Sequence, residues 1–455
     1  MKKFSKSILC MTLALATSVS LFSGCASNSS STSKDAGTAS PAASVAAPAA
    51  SSAASDANTG KKEKLTIMHY LVETGKLKAL NDTVAGFKAK YPNIDVTLQG
   101  MSLDQYSNTL NMKISAGDMP DIMFGNPKTY SDIVKSGNIM DITDKDFTSR
   151  VDPDAIKCCE VDNKVYGIPM DLMLSGVIYN KDIFSKYNIQ IPKTWTEFVA
   201  VMDTLKKNNV TAVAAGYKDL ASVGGSYWCQ LFGGALEQMP TMRADIMAGT
   251  KKPSDYPVLK QFLTQWAITN KHTSSATQVG VDRSEQEFAS GKAAMIIIGS
   301  WAVSSIRNYG PNGNFGSFLF PFFDDASKNK MQYNTDDAWM LSSKSANQDA
   351  ALKYFDYMTS TEAASTWATD VPAVSAITGA KAAKLDPIID DMAATLASGA
   401  AYNAMKETAF SGQSATVWDN QMQAWAFSST SGNANIDTYL GTLDKAMANA
   451  RTTGK

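Results

Sequence analysis

Histidine is nearly missing from this chain: His69 and His272 are the only two among 455 residues. That scarcity removes most histidine-based hydrolase and metal chemistry from consideration. Cysteine is almost as sparse. Of five, Cys10 and Cys25 stand near the start, leaving Cys158, Cys159 and Cys229 for the body. Adjacent cysteines strain the backbone if bridged to each other. Either Cys229 pairs with Cys158 or Cys159, or these are buried free thiols. Their spacing matches no zinc-ligand pattern, so neither a metal nor a cofactor is expected. An excess of one charge is missing too. Lys and Arg total 42 against 43 Asp and Glu, a net charge of −1, which argues against a nucleic-acid partner. The apolar run near the start is too short to span a bilayer, and no second long apolar run follows it.

The chain itself begins with a basic start, Met1-Lys2-Lys3, and an apolar run from Ile8 to Leu21. Such a pattern reads as a secretory signal. Leu21-Phe22-Ser23-Gly24-Cys25 places two small residues before a cysteine, the arrangement at which a signal is cut and the new N-terminal cysteine lipidated. Phe22 stands where a branched aliphatic residue is usual; the alternative is an ordinary cleaved signal and a free secreted protein. The expected division is a signal peptide over 1–24, lipidation at Cys25 and a tether over 25–62. The tether is almost wholly small and polar and cannot bury enough surface to order itself. It reads as a flexible spacer.

The remaining body is too long for one simple core, so two lobes are expected. Leu65–Met68 reads as a strand. Leu77, Leu80, Val84, Phe87 and Tyr91 make a helical stripe, and Ile94, Val96 and Leu98 alternate as a second strand. Ser102 with Gln105 suggests a capping box before Leu103, Tyr106, Leu110 and Ile114. Asp121–Phe124 reads as a buried strand. This alternation implies a parallel sheet covered by helices. The pattern resumes with extended segments at Val165–Pro169 and Gly176–Asn180, a helix capped by Thr194 and Glu197, and a strand over Val210–Ala214. Ser284 with Glu287 opens a short helix that Gly291 stops. Ala293–Ile298 reads as a fully buried strand, with Ser300 capping the next helix. Phe315–Phe320 and Ala338–Leu341 are strand-like, and the chain from about 385 is helical in pattern.

Three blocks carry a family resemblance. They are Asn163–Pro169 running into Val177–Asp182, then Pro192–Phe198, and then Phe288–Met295 with Gly299-Ser300-Trp301. In this order and spacing the chain resembles extracellular solute-binding protein family 1, the maltose-binding-protein-like carbohydrate-binding subunits of bacterial ABC importers. The resemblance implies two discontinuous α/β lobes joined by hinge strands, with the ligand between them. The crossings would fall near Asp171–Val177 and Asp337–Leu341. Lobe 1 would comprise 63–174 with 339–375, and lobe 2 would comprise 175–338 with 376–455.

A sugar offers hydroxyls that both donate and accept, and C–H faces that stack on aromatic rings. In open α/β sheets ligands lie at the carboxyl ends of strands. At those ends stand Tyr70, Glu73, Asn126, Asp171, Trp228 and Trp301, with Asn334, Asp336 and Asp337 before the second crossing. Asp336 and Asp337 point oppositely in extended chain, so one at most faces the cleft. Glu73 has a second reading as a helix-start carboxylate, and Asp171 as a hinge cap. The resemblance implies ring stacking for Trp301 and sends an aromatic from the C-terminal region into the cleft, Trp418 or Trp425. Trp195, Trp266 and Trp367 read as core.

The function implied is a non-enzymatic, monomeric binding subunit that captures an oligosaccharide and delivers it to ABC permease transmembrane subunits. It would be held to the outer face of a bacterial membrane by its N-terminal lipid. Two alternatives stand beside it: a glycoside hydrolase pairing Asp171 with Asp337 or Glu73, and a sugar sensor on the same fold.

Overall fold

A computed structural model of the chain describes residues 62–220, 223–224, 234–273, 276–335, 338–404, 409–432 and 434–453. The expected signal segment, Cys25 and nearly all of the tether lie outside these residues, as do Trp228, Cys229, Asp336 and Asp337.

The described strands, in chain order, are β1 (Glu63–His69), β2 (Ile94–Gly100), β3 (Ile122–Gly125), β4 (Glu160–Val161), β5 (Lys164–Val165), β6 (Ile168–Pro169) and β7 (Asp171–Asn180). Next come β8 (Thr211–Ala214), β9 (Ala293–Gly299), β10 (Phe315–Phe318), β11 (Met331–Thr335), β12 (Ala338–Leu341), β13 (Val374–Ser375) and β14 (Ala401–Asn403). Two large sheets result, one in each lobe, beside the short β4-β5 ladder. The first has the order β2-β1-β3-β12-β6; the second has the order β14-β11-β7-β9-β8, with β10 and β13 also paired to β7. β1, β2 and β3 are parallel, as the alternation of elements predicts, whereas β12 runs antiparallel to both β3 and β6.

Each large sheet is covered on both faces, which is why its strands read as apolar runs rather than alternations. In β1, Leu65 and Ile67 enter one core while Met68 enters another on the opposite face. In β9 all seven residues are buried. Met295 and Ile297 join the core that contains Val177, Phe198 and Trp266; Ile296 and Ile298 join the core of Ile178, Val303 and Ile388. The helix Thr74–Lys90 buries Leu80, Val84 and Phe87 along the expected stripe.

Several local signals resolve differently from their sequence reading. Ser102 occupies the N-cap position of the helix Leu103–Ala116, yet its side chain makes no capping bond. The helix read as starting at Ser284 begins earlier and spans Val281–Ala289, and the Ser284 hydroxyl donates back to the Val281 carbonyl. Ser300 caps no helix either. Its Oγ accepts from the Leu174 amide at 3.1 Å, tying the end of β9 to β7 across the sheet. The Thr194 cap does form, its Oγ1 accepting from Glu197 N at 3.2 Å.

The chain passes between lobes by adjacent strands. β6 belongs to the first sheet and β7 to the second, with Met170 alone between them. β11 lies in the second sheet and β12 in the first, so the return passage crosses positions 336 and 337. A third passage leaves Ala380, which packs in the first lobe, and ends at Ile388, which packs in the second. Each lobe is therefore assembled from separate stretches of sequence.

Candidate functional site at the lobe junction

The two lobes touch in this conformation. Gly75 opens a helix of the first lobe, and a Cβ placed on it would lie 2.9 Å from Ser304 of the second. On another side, Cys158 Sγ of the first lobe donates to Asn403 Oδ1 of β14 at 3.5 Å. Between the lobes a cavity of about 10 Å³ is lined by Lys76, Asp171, Met173, Ser300, Trp301 and Val371, among others. That is room for about one water molecule and far too little for a sugar ring.

Asp171 and Trp301, two of the residues singled out from sequence, meet at this cavity. Asp171 begins β7 at the hinge, is buried, and its Oδ2 accepts from Trp367 Nε1 at 2.7 Å. Trp301 comes after β9 in the single turn Ser300–Ala302. Its indole is folded back over Gly299: a Cβ on Gly299 would sit 1.5 Å from the ring. Gly299 pairs with Ser175 of β7. Directly opposed residues of an antiparallel pair project to the same face, so the indole lies on the Ser175 side of the sheet. The same face continues along β11, where Asn334 pairs with Met173. One step further in that register sets Gln332 opposite Ser175.

Three side chains on this face carry buried polar atoms with no hydrogen-bond partner among the described residues. Ser175 Oγ, both amide heteroatoms of Gln332 and Asn334 Oδ1 are unsatisfied, at exposures of 3%, 0% and 8% for the three residues. Nearly all buried polar groups in folded proteins are paired, which marks this row as unusual. Lys76, buried beside the cavity, and Ser175 and Gln332 were not anticipated from sequence. A polar residue at every second position of β11, directly before a crossing, is the signal that could have found Gln332 with Asn334.

The remaining sequence-derived candidates among the described residues have other neighbours. Tyr70 packs against Tyr106 and Phe124 at centroid distances of 4.9 and 5.2 Å. Asn126 is buried, and its Oδ1 accepts from the Lys128 amide at 2.9 Å, shaping the loop after β3. Glu73 precedes the helix Thr74–Lys90, where it accepts from the Val72 amide through Oε2. Trp418 lies in the second lobe's core with its ring 4.6 Å from Phe410, and Trp425 packs on Tyr439 at 4.7 Å. The helix Gly412–Thr430 directs both indoles inward. Trp266 and Trp367 are core as read, and Trp195 packs at its edge.

Burial shifts several ionisable groups. Burial, reinforced by Asp282, Glu73 and Asp219, pushes the Glu285 carboxyl up to about 8. Burial lowers Lys128, which has Cys158, Cys159 and Glu160 near it. His69 is also lowered by burial, and its Nδ1 accepts from the Leu71 amide. Cys158 and Cys159 are free, fully buried thiols. Among the described residues no group of three or more His, Cys, Asp or Glu side chains is placed to hold a metal ion. No described helix is long and apolar enough to cross a membrane.

Comparison with known proteins agrees with this architecture. Residues 72–365 match the family model described as bacterial extracellular solute-binding protein. The multiple sugar-binding protein of Streptococcus mutans is 24% identical over 315 residues, covering 68% of this chain and 74% of its own. The melibiose/raffinose/stachyose-binding protein MelE of Bacillus subtilis is 24% identical over 272 residues, 58% of this chain and 62% of that one. Among solved structures, RafE in complex with raffinose superposes with a TM-score of 0.71 at 21% identity, covering 84% of this chain and 99% of RafE.

Proposed function

Because this chain belongs to the bacterial extracellular solute-binding protein family, we propose that it is the capturing subunit of an ABC importer and that it closes on an oligosaccharide between its lobes. The observation that carries this reading is the Trp301 indole laid over Gly299 at the lobe junction, with Asp171 beside the same cavity. An aromatic plane flanked by hydrogen-bonding groups is what a sugar ring requires, since its C–H face stacks while its hydroxyls pair. The ligands for which the relatives are named, multiple sugars and the raffinose series, support the same class.

In this reading the protein binds without chemistry. Closure of the first lobe on the second is the working step. The closed pair presents the surface that permease subunits meet, and the chain acts as a monomer tethered through lipid on Cys25. Trp301 stacks on the ring. Asp171 sets the hinge end of the site, and Glu73, Asn126, Tyr70, Trp228, Asp336 or Asp337, and Trp418 are the further contacts that the sequence nominates.

The test is titration calorimetry of the mature chain against raffinose, stachyose, xylotriose and chitotriose, with the bound sugar recovered and weighed by mass spectrometry. Micromolar or tighter binding of at least one, a rise in Tm by mass action and unaltered sugar are expected. Recovery of a cleaved product, or no binding to any of the four together with no rise in Tm, overturns the reading.

A further inference from the structure

We propose that Ser175, Gln332 and Asn334 form a hydroxyl-reading row on the floor of the second lobe, and that Gln332 is the specificity-determining residue of the site. The proposal rests on the sugar-binding reading above and adds to it Ser175 and Gln332, which neither the sequence nor the comparisons nominate, beside Asn334, which the sequence does. Three observations lead to it.

The row is built by register rather than by loop chance. Asn334 pairs with Met173, and Gly299 pairs with Ser175. The side chains of Ser175, Gln332 and Asn334 therefore project from two neighbouring strands to one face, and the Trp301 indole overhangs that face from β9. Met173 and Trp301 both line the junction cavity, so the row runs directly from it.

The row is unsatisfied. Four buried heteroatoms, Ser175 Oγ, Gln332 Oε1, Gln332 Nε2 and Asn334 Oδ1, find no partner among the described residues. Leaving such groups unpaired is costly, and a Gln amide at 0% exposure has no bulk water to turn to. A Leu or Met at position 332 would fill the same space without that cost. The polar groups have a use if the guest supplies the missing partners.

The chemistry of the row selects the guest. Gln332 offers two N–H donors and one acceptor, Ser175 can do either, and Asn334 Oδ1 accepts. None of the three is charged. Mixed donors and acceptors without charge, beneath an indole plane, suit adjacent hydroxyls of a neutral sugar. They suit neither an anion, which needs donors alone and a counter-charge, nor an apolar chain. A site that hydrogen-bonds a hydroxyl rejects the analogue lacking it far more strongly than a hydrophobic pocket rejects a missing methylene. This gives the floor, rather than the stacking ring, control over which sugar is kept.

The experiment compares wild type, Gln332→Leu and Ser175→Ala in the full mature chain, using the tightest binder among raffinose, stachyose, xylotriose and chitotriose, and its monodeoxy analogues. Expected is at least a tenfold loss of affinity in Q332L, with the Tm of the sugar-free protein unchanged or raised. One deoxy analogue should bind wild type at least tenfold more weakly than the parent sugar, yet bind Q332L no more weakly than the parent does. S175A, which removes a single atom, keeps the measurement valid should Q332L fold poorly, and a threefold or greater loss is expected for it. If both variants bind like wild type, or if sugar-free Tm falls while affinity holds, the row houses structural water and the proposal is overturned. If wild type binds none of the four sugars, the functional reading falls first and this inference falls with it.

Discussion

Glu285 couples stability to solution pH. It sits on the helix Val281–Ala289 at 3% exposure. Burial is the main reason its carboxyl is pushed up to about 8, and like charges add to it: Asp282 from its own helix, Asp219 from the loop after β8, and Glu73 from the first lobe. Ser305 opposes the shift only in part, and Tyr309 adds a phenol whose own ionisation Glu285 disfavours. The folded chain therefore holds a proton that the unfolded chain releases in the ordinary carboxyl range. Stability gained in this way is fully present below about pH 4.5, declines as pH rises, and is gone above the folded value of about 8. The expected outcome is that Tm falls between pH 5 and pH 8, and that Glu285→Gln, which cannot ionise, removes most of that slope. Thermal melts of both proteins at half-unit pH steps check it, and parallel curves for the two would refute it. Glu73 faces Glu285 from the other lobe, so part of the slope belongs to lobe contact rather than to either lobe alone.

At the scale of the element, β9 and the turn after it decide the geometry of the site. Gly299 has φ −91°, which any residue adopts. Its lack of a side chain matters for another reason, because the Trp301 ring occupies the place of its Cβ. Gly299→Ala is therefore expected to leave the strand intact and to swing the indole away. A displacement of that size at a binding plane costs about tenfold in affinity or more. Sugar titration with far-UV circular dichroism as a control checks it; unchanged affinity would mean that Trp301 does not stack on the ligand. This element was also the most legible in sequence. Ala293–Ile298 is apolar at every position because both faces are covered, and Gly299-Ser300-Trp301 stands at its carboxyl end. β11 was illegible for the opposite reason. Met331-Gln332-Tyr333-Asn334-Thr335 has no clear apolar face, and what makes it a strand is pairing to β7 and β14, which are remote in sequence. β13 and β14 span two and three residues, too short for any period to register. Ser300 was misread on the same principle: as a local cap it is plausible, but the amide it serves belongs to Leu174. Local patterns thus reveal the layers and the position of Trp301, while the row of Ser175, Gln332 and Asn334 depends on register between distant strands.

For the whole molecule the question is what balances a closed arrangement against an open one. Gly75 and the Ser304 side chain bring the two lobes into close contact. Ser304 is partly exposed and lies in the first turn of the helix Val303–Tyr309, so a larger side chain there disturbs neither lobe's core. It would instead stand in the space that Gly75 fills when the lobes meet. Ser304→Phe is expected to shift the population toward the open form without altering any group that touches ligand. Apparent affinity scales with the fraction of molecules able to close; if that fraction drops to about one tenth, apparent Kd rises about tenfold. Small-angle scattering should report a larger radius of gyration for S304F than for wild type without sugar, and convergence of the two at saturating sugar. The Tm of the sugar-free variant should stay close to that of wild type, which separates a wedge from a folding defect. Equal radii and equal affinities would mean that the contact at Gly75 persists whether or not ligand is held, and that closure is governed elsewhere along the junction.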